Sequence, residues 1–165
     1  MVMIKDINRF KLFEQSIIGY CQQAALRMVY NYLGLYMPEE EIVELTSKAE
    51  DSCWGYTDRS LIRVSRDLGF KVQMVDGASV DLIEKLLKDN IIPITSCFEG
   101  DGHYIPVVGI ERSKIILADS LYPELGPELR RINIRQFETR WYDYYGYDAY
   151  PDESNVFRRR LFIIE

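Results

Sequence analysis

Histidine is almost missing from this chain: among 165 residues the only imidazole is His103, so any acid–base work by imidazole must run through that position. Long apolar runs are missing too, since no stretch approaches the about 18 residues of a membrane-spanning helix. The opening segment MVMIKDINRFKLFEQ breaks its apolar positions with Lys5, Asp6, Arg9, Lys11 and Glu14 and so lacks the core of a signal peptide. Cysteine is sparse and odd in number; Cys21, Cys53 and Cys97 make no disulfide scaffold, which fits a reducing compartment and a cytoplasmic location. Positive charge is short, with 20 Lys and Arg against 26 Asp and Glu, and the resulting net charge of −6 repels a phosphate backbone, which argues against nucleic-acid binding. No repeat, low-complexity tract or Pro/Gly/Ser linker divides the chain, so residues 1–165 read as a single domain. With 47% apolar and 28% charged residues the composition is globular, and a domain of this length buries roughly 68–70% of its unfolded surface.

What is present changes character half-way along. Ala24, Ala25, Leu26, Met28, Val29, Tyr32 and Leu33 recur at helical spacing before Gly34, the place of a left-handed C-cap, and predict a buried helix over 20–33. Pro38 and three following glutamates suit the positive end of a helix over 38–49. A third helix is expected at 58–68, opened by Asp58 or Ser60 and stopped by Gly69, and a fourth from Ser79 to about Asn90. Strands are predicted at 70–75, 91–97, 103–110, 114–120 and 159–165, two of them joined by Glu111-Arg112-Ser113 as an antiparallel hairpin. Pro93 and Pro106 belong at edges or bulges, and 121–127 and 143–155 read as loops. The fold class is therefore α+β, a helical N-terminal half packed on a C-terminal antiparallel sheet.

His103 opens an apolar strand behind a glycine-flanked loop, GDGHYIPVVGI, where a scaffold presents side chains to a cleft; a structural histidine is the plainer reading. Cys21 stands where QSIIGY meets the first predicted helix, and unpaired N–H groups at a helix start favour thiolate over thiol. Its plainer reading is a small buried hydrophobe, which is how Cys53 and Cys97 look. Asp119 ends KIILAD, and a turn centred near Arg112 sets it near residue 104, where its carboxylate can lie beside His103. A helix-borne nucleophile with base and orienter on neighbouring strands follows the logic of acyl transfer. Gln15, six residues before Cys21, adds a side-chain amide that can join a backbone N–H in binding an oxyanion.

Together, Gln15, Cys21 with AALRMVYNYLG behind it, GHYIPVVGI and the LAD of 117–119 resemble the papain-like cysteine peptidases of family 39, which remove double-glycine leaders from bacteriocins. The likeness spans about residues 10–142 and includes FETRWYD, which is similar to the family's late helix. It implies a papain-like fold with Cys21 as nucleophile, His103 as acid and base, Asp119 as orienter and Gln15 as oxyanion donor, acting on a peptide or protein without metal or cofactor. Two positions depart from the pattern. Gln22 replaces the glycine after the cysteine, with a side chain long enough to narrow the cleft or cover the thiol, and Ser120 replaces the proline that usually follows the aspartate. Bacteriocin-processing members are commonly fused to a transporter, whereas this chain reads as a stand-alone domain, so a leader-peptide substrate is not implied.

Two other classes compete. A zinc site from Cys21, Cys53, Cys97 and His103 would want paired C-x₂₋₄-C spacing, which is absent. A catalytically inactive peptidase-like domain that binds a peptide or protein partner fits the same fold. The aromatic run WYDYYGYDAYP at 141–151 serves either a binding surface or packing under a loop.

Overall fold

The computed structural model describes residues 1–49, 57–97, 102–120, 127–144 and 156–165. The helices begin and end close to their sequence signals. Helix α1 (Cys21–Leu33) stops at Gly34, whose φ of +97° is open to glycine alone at low cost, and its inward face buries Ala25, Leu26, Met28, Val29 and Tyr30. Helices α2 (Glu39–Ala49) and α3 (Asp58–Asp67) follow; helix α4 (Val80–Lys88) is N-capped by Ser79, whose hydroxyl accepts from Leu82 N–H at 3.2 Å. No helix among the described residues is long and apolar enough to cross a membrane.

The strands that the pattern predicts are present, mostly shorter than expected: β2 (Val72–Val75), β3 (Ile94–Cys97), β4 (His103–Glu111), β5 (Lys114–Asp119) and β9 (Leu161–Ile164). They form one sheet in the order β2-β9-β3-β4-β5-β6, in which β6 (Glu128–Asn133) is an edge strand, and β1 (Val2–Met3) adds to β4 beyond the end of β3. Every pairing is antiparallel. Helix α1 packs against β4, so the core lies between the helical layer and the sheet, as an α+β class requires. The sheet also takes β1 and β2, which lie before its main run in sequence.

Two expectations need correction, and the choice for Pro106 between an edge and a bulge falls on the bulge. Pro106 is at no edge: it sits in β4, flanked by β3 and β5, opposite Ile94. A bulge follows at once, between Val107 and Gly109, so the strand tolerates the missing N–H at its most irregular point. FETRWYD is not one helix. Helix α5 (Ile134–Arg140) ends where Trp141 turns inward and donates its indole N–H to Arg160 O at 3.0 Å, and Tyr142–Tyr144 is β7, paired with β8 (Val156–Arg158) in a separate ribbon. Of the loop assigned to 143–155, residues 143 and 144 are strand instead, and 145–155, like Cys53 and 121–126, lie outside the described residues.

Candidate active site

Cys21 is the first residue of α1, half-buried, with no side-chain cap at the helix start, so the first-turn N–H groups point past it unpaired within the helix. His103 is the first residue of β4. Before it, Gly102 holds φ at +92° with the Asp143 carboxylate packed where a Cβ would stand, only 2.6 Å from that position, so no other residue fits there without movement. Asp119 closes β5. The turn centres between Arg112 and Ser113, and the bulge then takes back one place of register. Continuing from Val107 opposite Leu117 sets Asp119 opposite residue 105 rather than 104; the side chains still meet, with His103 Nε2 2.7 Å from Asp119 Oδ1. The other ring nitrogen, Nδ1, is not taken by Asp119, and Cys21 lies close enough to the ring to favour its charged form.

Electrostatics at the imidazole oppose one another. Burial favours the neutral ring, but the hydrogen bonds and charges of Asp119 and Cys21 outweigh it and push the His103 pKa up to about 10. Asp119 is fully buried and also meets Arg130 of β6, Nη1 to Oδ2 at 3.1 Å, so its carboxylate is held from both sides. Among the described residues no group of three His, Cys, Asp or Glu side chains is arranged to hold a metal ion.

Gln15 is buried beside this cluster. Its backbone N–H donates to Ser120 O at 3.4 Å, its Oε1 accepts from Ser120 Oγ at 3.1 Å, and the next residue's N–H donates to Glu39 Oε2 at 3.1 Å. Gln22 turns away from the thiol. Its Nε2 donates to Thr57 O and its Oε1 accepts from Ser60 Oγ, both at 3.0 Å, so the side chain ties α1 to the start of α3 rather than covering the cleft. The four residues singled out from sequence thus fall in one region, Cys97 stays buried in β3, and the ligand set of a zinc site does not assemble among the described residues.

The Peptidase C39 family model matches residues 9–145. The chain belongs to the peptidase C39 family. The fold agrees with C39 peptidase domains of known structure. The peptidase domain of Streptococcus ComA, a bi-functional ABC transporter involved in quorum sensing, aligns with a TM-score of 0.69 at 18% identity over 94% of this chain and 97% of that one. A double-glycine motif protease from an AMS/PCAT transporter, solved with its leader peptide, aligns at 0.63 and 16% identity over 99% and 97%. A C39-like peptidase from Bacillus anthracis aligns at 0.66 and 14% identity over 85% and 91%. No curated protein sequence matches the chain. The class of this C39 domain is accordingly that of a cysteine-type peptidase.

Sequence reasoning missed two supports of the site. Arg130 lies in a strand whose six residues, ELRRIN, carry three charges and no clear alternation, so nothing marked it as facing Asp119. Glu39 read as one of three helix-dipole acids, and its burial against Ser16 has no local signal.

Proposed function

We propose that this C39 domain is an active peptidase that cleaves a peptide bond through a thioester on Cys21. The observation that carries the reading is the His103 ring, held at 2.7 Å by Asp119, with Cys21 close enough to favour the ring's charged form. The Cys21 thiol passes its proton to His103 as the sulfur attacks the scissile carbonyl carbon, and the carbonyl electrons move onto oxygen, where Gln15 Nε2 and the Cys21 backbone N–H bind the oxyanion. As the oxyanion collapses, the C–N bond breaks and His103 protonates the departing amine. Water then attacks the thioester while His103 takes its proton; the acid leaves and the thiol is restored. Asp119 keeps the ring in the productive tautomer and stabilises its charge. The relative solved with a leader peptide supports a peptide substrate. Catalytic competence is further supported by Gln22, whose side chain does not occupy the cleft.

The test has two arms. Iodoacetamide at mildly acidic pH should label Cys21 ahead of Cys53 and of Cys97, which is 3% exposed. Digestion of a mixed peptide library, read by mass spectrometry, should be abolished by Cys21→Ala and by His103→Ala and reduced to a residue by Asp119→Asn. Equal labelling of the three thiols, or full cleavage by His103→Ala, overturns the reading, since the chain holds no second imidazole.

A further inference from the structure

We propose that Ser120 is a positioning residue for the oxyanion donor: its hydroxyl, donating to Oε1, holds the Gln15 amide in place at the reacting carbonyl. The inference rests on the function proposed above and adds a residue to it. Both side chains are buried, Ser120 at 2% and Gln15 at 3% exposure, and Ser120 Oγ donates to Gln15 Oε1 at 3.1 Å. The backbones are also joined, with Gln15 N–H donating to Ser120 O, and Ser16 N–H is anchored on Glu39, so the loop that carries Gln15 is held on two sides. Gln15 Nε2, in contrast, donates to no described residue.

A primary amide has two ends of similar size and opposite polarity. With Oε1 engaged by Ser120, the two N–H donors of Nε2 are presented outward, ready for an oxyanion. Flipped, the amide would turn a carbonyl oxygen toward developing negative charge and repel it. The backbone pair between the two residues cannot prevent the flip, because it does not touch the amide. The side-chain hydroxyl does touch it, and in donating to Oε1 it holds the amide in place in the orientation seen. Ser120 directly follows Asp119, so one strand end orients both the imidazole and the oxyanion donor.

Two reactions of the same thiol separate this role from a general structural one. In acylation by p-nitrophenyl acetate, the Cys21 sulfur adds to the ester carbonyl, an oxyanion forms, and p-nitrophenolate leaves to give the thioester. Alkylation by iodoacetamide displaces iodide at carbon and develops no oxyanion. Thr and Val have the same shape and differ by the hydroxyl, so Ser120→Thr and Ser120→Val form the informative pair, with Ser120→Ala beside them. Ser120→Val should acylate roughly 2–10-fold more slowly than Ser120→Thr, the rate equivalent of one neutral hydrogen bond, while alkylating at the same rate. In a Gln15→Ala background, itself slowed on the order of 10²–10³, Thr and Val should be indistinguishable. Equal acylation by Thr and Val in the otherwise unaltered protein, a gap that persists without Gln15, or a matching fall in alkylation overturns the assignment. If Cys21→Ala still acylates, the proposed function fails instead, and if Gln15→Ala acylates at the unaltered rate, the oxyanion role of Gln15 fails and Ser120 with it.

Discussion

His103 keeps its proton well into the alkaline range because Asp119 and Cys21 do more for the charged ring than burial does against it, raising its pKa from 6.5 to about 10. Between those values the folded protein binds the proton and the unfolded chain releases it, so unfolding becomes easier as pH rises. The contribution is complete below about pH 6.5 and is lost through about pH 10. Urea midpoints should fall across that window, and the fall should be shallower in His103→Gln; parallel profiles would place the proton elsewhere. Gln22 makes a second residue-scale prediction, in which restoring the family's glycine is harmful. Gln22→Gly removes a buried hydrogen bond to Ser60 and a part-buried one to Thr57 and puts glycine inside a helix, a loss of about 2–3 kcal/mol in urea unfolding. Iodoacetamide labelling of Cys21 should persist in the folded variant, because the side chain lies away from the sulfur.

At the scale of elements, the start of β4 depends on a contact from another sheet. Asp143 of β7, whose pKa burial pushes up to about 6, fills the space where residue 102 would carry a Cβ, and Ser96 Oγ holds it there at 2.7 Å. Gly102→Ala adds a clash with that carboxylate to the strain of a positive φ, and its relief moves the strand start that carries His103. Cleavage and preferential Cys21 labelling should both drop, and recovery in Gly102→Ala with Asp143→Gly would assign the loss to this contact. The elements differ in how far sequence reveals them. α1 and α4 were legible because a buried helical face demands apolar periodicity and their ends demand Gly34 and Ser79. The β4–β5 hairpin was legible to within one residue: its turn centres between Arg112 and Ser113, and a bulge that no residue pattern announces takes back one place of the resulting offset. β6 was not legible, since an edge strand paired on one side with a wet face needs no alternation, and Trp141 ends α5 through a partner nineteen residues away.

Across the whole molecule, Arg160 joins parts that sequence keeps far apart. Buried at 4% exposure, it forks to Asp76 at 2.6 and 2.8 Å and pairs with Asp58, which also accepts from Tyr104 OH at 2.6 Å. Strand β4, helix α3 and the turn before α4 are thereby held at one point behind the nucleophile's layer. Arg160→Ala leaves the Asp58 carboxylate buried without this cation and should cost about 3–5 kcal/mol in equilibrium unfolding. A loss below about 1 kcal/mol would mean that the carboxylates simply take up protons or water. Long-range pairing of this kind is also why the site's partners, unlike its residue types, were only partly visible in sequence.

The place of β9 in the sheet bears on how the protein is made. Residues 161–164 lie between β2 and β3, with Val72 opposite Ile164 and Ile94 opposite Phe162. On the ribosome, β2 and β3 emerge long before the strand that separates them, so each faces the cell with an open edge while some sixty further residues or more are translated. Native sheet closure must wait for those four residues, and the interval before they arrive is when a nascent chain of this protein is most exposed to mispairing and most in need of a chaperone.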